Sequence, residues 1–397
     1  MTEKLYYTDG FIFDFEAKVV KIVNTDSYCA VILDKTAFFP LGGGQMPDTG
    51  YIGDNYVYDV QEVDGEIYHY IKIFSDLHSD EVVFCRVDKS KRFARMQAHS
   101  GEHIVSGIVH SMFNADNVGF HMDDTLMTVD FNKYLSKEEL AEVEMKANEC
   151  VYADVPIKTY IVSASESDDI DYRSKLEFNG DVRLVEIECT DVCACCAPHV
   201  RSTGQVGLIK ILSSVSHRGG VRITLVCGIT AYEDYFMKHN ATVNISTALC
   251  AKHNETDSAV YRLIEANKEL EYSLLQNKRK YLKMIADDIE ALDVLVRIYS
   301  ELNMDELREL CNLTKSKCKM LSVFFSGNDE SGYSYCIYSE MLDLSLLVKD
   351  FNKALNGSGG GRGELVQGKI KCSAQVIYNF LKTLRVEDYE NEKKKES

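Results

Sequence analysis

Two histidines one helical turn apart, followed about ninety residues later by a run crowded with cysteines and a further histidine, constrain this chain of 397 residues more than any other feature. In MQAHSGEHIVS, His99 and His103 lie four apart in a stretch with helical apolar spacing. Both imidazoles therefore leave one face of a helix, with roots about 6 Å apart. The run CTDVCACCAPHV then concentrates Cys189, Cys193, Cys195, Cys196 and His199 in eleven positions. A thiolate and an imidazole from that run would complete a tetrahedral nitrogen and sulfur set, and such donors favour Zn²⁺ over Mg²⁺ or Ca²⁺. Any fold satisfying this must bring the second segment back onto the helix. Cys195 and His199, a Cys-x-x-x-His pair, are the preferred donors, with Cys193, Cys196 and Cys189 as alternatives. Glu102 precedes the second histidine instead of following the first, so the zincin metalloprotease pattern is excluded. A purely structural zinc is the competing reading.

Composition narrows the function classes. The length predicts two to four globular units, and the 13 cysteines, an odd number without an export signal, read as free thiols with a subset on metal. No apolar run approaches the roughly 18 residues a membrane span needs, so no membrane partner is expected and the chain is expected in the cytoplasm. A net charge of −18 opposes non-specific polyanion binding. Any nucleic-acid contact must be local, and Arg86, Lys89, Lys91, Arg92 and Arg95 form one such basic concentration, or else a solvated charged turn.

The pattern along the chain predicts an α+β protein. Residues 1–90 alternate short β-rich runs (29–39, 51–63 and 66–74) with turn clusters, as in a small barrel or sandwich. Residues 91–232 read as an α+β domain: a helix carrying the two histidines, a strand at 121–131, and a helix opened by the capping box of Ser136 and Glu139 and running to about Cys150. Further strands are expected at 157–163, 182–189 and 221–228. Residues 233–299 read as a helical linker. There Val260, Leu263, Asn267, Leu270, Leu274, Asn277, Tyr281 and Met284 form a heptad-like stripe, either a dimer seam or a face packed on its own chain. Residues 300–390 alternate helices and strands (304–318, 321–326, 333–339, 341–355 and 373–385) around a glycine-rich loop at 357–368, and 391–397 read as a disordered tail.

Taken together, His-Ser-Gly-Glu-His and Cys-Cys-Ala-Pro-His-Val, with DKTAFFPLGGGQMPDTG upstream and HVRSTGQVGLIKI and RGGVRITLVCG downstream, resemble the zinc-binding editing domain shared by alanyl-tRNA synthetase and the free-standing AlaX-type alanyl-tRNA editing proteins. The C-terminal unit with GSGGGRGELVQG resembles the DHHA-type domain that follows it in the synthetase and in long AlaX proteins. The resemblance implies hydrolysis without tRNA charging. Its expected substrate is tRNA(Ala) carrying the wrong amino acid, chiefly seryl-tRNA(Ala) and also glycyl-tRNA(Ala), cleaved at the aminoacyl ester by zinc-dependent attack of water. It implies that His99, His103, Cys195 and His199 hold the Zn²⁺. Thr36 is expected to pair with the hydroxyl of serine and Gln45 to donate its amide to the substrate. Gly42, Gly43 and Gly44 are expected to let backbone approach the acylated end. Gly359, Gly360, Gly361, Arg362 and Gly363 are expected to hold phosphates of the tRNA body. A homodimer through residues 233–292 or the C-terminal domain is the second partner expectation; a non-catalytic tRNA- or RNA-binding protein with a structural zinc is the alternative function.

Overall fold

The computed structural model describes residues 2–25, 28–72, 76–167, 169–174 and 180–389, and the expected tail at 391–397 lies outside them. The architecture is mixed α+β, in two compact units, Met1–Ala248 and Leu249–Ser397.

The first unit opens with β1 (Glu3–Lys4), β2 (Asp14–Asn24), β3 (Cys29–Leu33), β4 (Lys35–Thr36), β5 (Gly50–Ile52), β6 (Asn55–Val63), β7 (Glu66–Ile71) and β8 (Val82–Val87). Six of these close into a barrel in the order β2-β3-β7-β6-β5-β8, while β1 pairs in parallel with β4. Strand alternation sends Phe15, Ala17, Val19, Val31, Leu33, Val57 and Val83 to the interior. The β-rich run at 51–63 is a hairpin, because Gly53 takes a left-handed φ of 55° at its turn.

Helix α1 (Lys89–Phe113) follows directly, then β9 (Asn117–Met122), β10 (Met127–Phe131), α2 (Lys137–Ala153), β11 (Ile157–Val162), α3 (Ala164–Ser167), β12 (Val182–Ile187), β13 (Asp191–Ala194), β14 (Ile209–His217), β15 (Gly220–Cys227) and α4 (Gly228–Ala248). The single strand expected at 121–131 is instead a hairpin. The Asp123 carboxylate accepts the backbone N–H groups of Thr125 and Leu126 at 2.7 and 2.8 Å, and this turn interrupts the run. The capping box of Ser136 and Glu139 is present at the start of α2. Two sheets, β14-β15-β10-β9 and β11-β12-β13, flank α1, whose Met96, Ile104, Val105 and Ile108 enter the largest core.

The helical segment expected as one linker is broken. α4 ends at Ala248, Cys250 adopts a φ of 50°, a 3-10 turn spans His253–Glu255, and α5 (Thr256–Asp288) starts afresh in the second unit. Leu263, Leu270, Leu274, Tyr281 and Met284 of the heptad-like stripe are exposed in that unit. The stretch 292–299, expected to belong to the linker, is strand β16 (Leu292–Tyr299), which joins α6 (Met304–Leu313), β17 (Cys318–Asn328), β18 (Gly332–Tyr338), α7 (Leu344–Ala354), β19 (Gly357–Arg362), β20 (Leu365–Ile370) and α8 (Ala374–Thr383). The sheet order is β16-β17-β18-β20-β19. Leu321, Val323 and Phe325 enter one core and Phe324 the opposite one, so both faces of β17 are covered, which accounts for its unbroken apolar run.

The glycine-rich stretch expected as a flexible loop is the hairpin of β19 and β20. Glycine is demanded there by close approach. A Cβ on Gly359 would lie 2.4 Å from the Gln367 carbonyl oxygen and 2.6 Å from the Tyr335 hydroxyl, so at that position the pairing excludes a side chain.

Candidate metal centre

Helix α1 starts where Asp88 caps it, its carboxylate accepting the N–H groups of Ser90 and Lys91 at 3.1 Å each. Its middle buries polar side chains, namely His99, Ser100, Glu102, His103 and Ser106, all below a tenth exposed. Such a polar stripe is unfavourable unless every group is partnered or serves a ligand. Gly107 lets the helix press against the turn before β13, since a Cβ there would sit 2.3 Å from the Thr190 carbonyl oxygen.

The cysteine run is held from both sides. The Cys195 N–H donates to the Arg183 carbonyl at 3.0 Å, and the Arg183 guanidinium returns bonds to the carbonyls of Cys195 and Ala197 at 2.8 and 3.0 Å. Ser100 takes the Val200 N–H at 3.3 Å, tying the following residues to α1. These contacts bring one donor atom each from His99, His103, Cys195 and His199 within 4.8 Å of one another. The Cys195 Sγ is 3.5 Å from His99 Nε2 and 3.4 Å from His199 Nε2. A tetrahedron with metal–sulfur bonds of about 2.3 Å and metal–nitrogen bonds of about 2.0–2.1 Å has nitrogen–sulfur edges of about 3.6 Å, so these two edges match the spacing of a metal ion such as zinc.

The outward nitrogens are braced. His99 Nδ1 is 3.0 Å from Gln45 Oε1, His103 Nδ1 is 3.0 Å from Asp191 Oδ2, and His199 Nδ1 is 3.0 Å from Ser100 Oγ. Partners of this kind fix the tautomer that leaves Nε2 free to ligate. Asp191 is itself held by Arg173, through Nε at 2.6 Å and Nη2 at 2.8 Å.

Electrostatics separates the candidate thiols. Burial pushes the Cys195 thiol up, but His99 and His199 outweigh it and hold it well below the ordinary thiol value. Burial dominates at Cys193 and Cys196, pushed up to about 11. Cys193 belongs to a second donor group with His103 and Asp191, but Asp191 is already committed to Arg173 and His103. Cys189 is exposed and belongs to neither group. Burial drives His199 down to about 3, leaving it neutral as a ligand must be.

Beside the four donors opens a cavity of about 1220 Å³, lined among others by Tyr7, Gly43, Gly44, Phe120, Arg173 and Arg183. Gly42 lies outside that lining and bridges Gln45. Gln45 likewise lies outside that lining; it is fully buried, and its Nε2 has no hydrogen-bond partner among the described residues. Thr36 is placed differently from Gly43 and Gly44. It does not line the cavity; its buried hydroxyl accepts the Phe38 N–H at 3.1 Å and donates to His69 Nε2 at 2.8 Å, so it is committed within the barrel. The basic cluster is also smaller than expected, because Arg92 and Arg95 are buried: Arg92 binds Asp48 and Arg95 binds Asp124. Gly359, Gly360, Gly361 and Arg362 lie in β19 and Gly363 in its turn, with a φ of 77°; the Arg362 side chain lies outside the described atoms. Sequence reasoning missed Asp191, Arg173, Arg183 and Ser100. Asp191, four residues before Cys195, is the one it could have found, since metal-bound imidazoles commonly carry a carboxylate partner.

Three segments of the chain match models of known protein families. The model described as threonyl and alanyl tRNA synthetase second additional domain matches residues 182–224, which include Cys195 and His199. That of class II (A) tRNA synthetases matches residues 2–91, and that of the DHHA1 domain residues 292–386. The chain thus carries, in order, a segment similar to a tRNA-synthetase additional domain and one similar to a DHHA1 domain. The alanyl-tRNA editing protein AlaX-L of Pyrococcus horikoshii is 26% identical over 96% of this chain and 97% of its own length. The alanine–tRNA ligases of Pyrococcus abyssi and Methanococcus aeolicus are 29% and 26% identical over 93% and 95% of this chain, which spans only 42% of either ligase. Over nearly its whole length the chain is thus similar to a long alanyl-tRNA editing protein and to part of the alanine–tRNA ligases. Among the described residues no helix is long and apolar enough to cross a membrane.

Proposed function

We propose that this chain is an aminoacyl-tRNA hydrolase that removes the wrong amino acid from tRNA(Ala), chiefly serine and secondarily glycine, in the cytoplasm where charged tRNA is used. The observation that carries the reading is the convergence of four donors, three with braced outer nitrogens, beside a cavity large enough for an acylated nucleoside. His99, His103, Cys195 and His199 would hold Zn²⁺, which supplies Lewis acidity toward the ester carbonyl and water.

The remaining work falls to the chain's own groups. Gln45 orients His99 through Oε1, and its buried amide N–H group, just behind the cavity wall formed by Gly43 and Gly44, is the donor we assign to the substrate once the acylated end is seated. Gly43 and Gly44 give the acylated end access to backbone, and Tyr7 and Phe120 supply aromatic surface to its adenosine. The sulfur of Cys195 is committed to the ligand set, which favours water over a covalent acyl-enzyme. Serine discrimination passes from Thr36 to groups on the cavity wall. For the second unit we propose contact of the tRNA body with the edge strand β19, whose glycines let a phosphate backbone approach main-chain amides, and self-association along the exposed stripe of α5.

Incubation with seryl-, glycyl- and alanyl-tRNA(Ala) tests the reading. It expects rapid loss of the seryl ester, slower loss of the glycyl ester and survival of the alanyl ester. Binding without turnover would favour the non-catalytic RNA-binding alternative.

A further inference from the structure

Glu102 is used by none of the roles above. It is 5% exposed, it lines the cavity, and it belongs to neither group of potential metal donors. One carboxylate oxygen is occupied: Oε1 accepts from the Ser106 hydroxyl at 2.5 Å and from the Asn117 amide. The other, Oε2, has no hydrogen bond among the described residues and stands 4.0 Å from His103 Nε2. That distance is too long for a hydrogen bond, yet it keeps the oxygen beside the candidate metal centre. A carboxylate buried this far and left half-satisfied is costly unless a cation completes it.

The other acids of the cavity wall do not offer the same thing. Asp191 is committed to His103 and Arg173, Asp116, Asp171, Asp181 and Glu188 are exposed to water, and Glu186 is half-buried. Glu102 is therefore the desolvated anion with an open lone pair, next to the donors that would face a reacting carbonyl.

Resting on the deacylase reading, we infer that Glu102 is the receptor for the α-ammonium group of the aminoacyl ester. Every aminoacyl-tRNA carries that cation on the carbon adjacent to the ester carbonyl, so pairing it with Oε2 sets the carbonyl at the metal centre whatever the side chain. The same pairing rejects esters whose nitrogen is acylated, as in peptidyl- or formylaminoacyl-tRNA, because a neutral amide would leave the buried carboxylate unpaired. Substrate class is thereby set at the α-nitrogen, independently of the choice between serine and glycine.

The test compares wild type with Glu102→Gln, in which Ser106 and Asn117 keep an acceptor. Calorimetry measures binding of 3′-seryl-amino-3′-deoxyadenosine, which carries the ammonium and cannot be hydrolysed as an ester, and of its N-acetyl derivative. Wild type is expected to prefer the ammonium form by about ten- to a hundredfold, the range of a charge-assisted hydrogen bond. Glu102→Gln is expected to bind both forms alike, with unchanged zinc content. A preference that survives in Glu102→Gln, or an equal loss on both ligands, overturns the inference. Hydrolysis of seryl-tRNA(Ala) by wild type is followed in parallel. If the binding preference depends on Glu102 but no ester is cleaved, the deacylase reading fails and the ammonium receptor stands; if the ester is cleaved and the preference is insensitive to Glu102, the reverse holds. Binding of neither ligand overturns the inference, and overturns both only if no ester is cleaved.

Discussion

Asp191 accepts from His103 Nδ1 at 3.0 Å while receiving two bonds from Arg173, so one buried carboxylate aligns a candidate ligand and is itself locked in place. Replacing Asp191 with Asn keeps the shape but removes the charge that favours the Nδ1–H tautomer. Zinc affinity, measured by chelator competition, should fall about ten- to a hundredfold. An unchanged affinity would detach Asp191 from the metal site.

The ion pair of Arg92 and Asp48 fastens α1 to the barrel. Both side chains are at most 1% exposed, and the guanidinium also donates to the Gly10 carbonyl at 3.0 Å. Arg92→Met leaves the buried Asp48 carboxylate with only the Phe39 N–H and the more distant Arg95 at 4.0 Å, and should lower the unfolding free energy by about 3 kcal/mol in urea titrations. The double change with Asp48→Leu should recover much of that loss. Lys89→Ala, on the exposed first turn, should stay within about 0.5 kcal/mol.

His69 makes a separate pH prediction. It is fully buried between Thr36 and the Val31 carbonyl, and burial lowers its pKa to about 4. The folded chain therefore binds this proton less readily than the unfolded chain, whose histidine titrates near 6.5. Its contribution is complete above about pH 6.5 and is lost as pH falls toward 4, at up to about 1.4 kcal/mol per pH unit. The slope of stability against pH over that window should be shallower in His69→Gln; equal slopes would contradict the assignment.

Gly359 and Gly360 separate architecture from RNA contact in β19. A Cβ on Gly359 meets backbone and the Tyr335 hydroxyl, whereas one on Gly360 meets nothing within 4 Å. Gly359→Ala should destabilise the chain by about 1–3 kcal/mol, and Gly360→Ala should leave stability within about 0.5 kcal/mol. Loss of tRNA binding in Gly360→Ala, without loss of stability, would mark an interface.

Much of the candidate site could be read from residue order because its chemistry is local. His99 and His103 share a helix turn, and Cys195 and His199 lie close in sequence, so donor type and spacing point to the set directly. The supporting groups could not be read in this way. Arg173 reaches Asp191 and Ser100 reaches His199 only through folding, and Thr36 looked available because nothing in the sequence reveals that His69, 33 residues away, takes its hydroxyl. The glycine run misled for a related reason. Glycines usually signal turns, but here they serve the close pairing of two strands beside Tyr335, a tertiary contact with no local signature.

The central claim is that His99, His103, Cys195 and His199 bind one zinc ion together, and X-ray absorption at the zinc edge on the purified chain tests it most directly. The account expects one zinc per chain, with three nitrogens at about 2.0–2.1 Å and one sulfur at about 2.3 Å, and loss of the sulfur shell in Cys195→Ser. A chain that retains no zinc, or a shell of several sulfurs that survives Cys195→Ser, would contradict it.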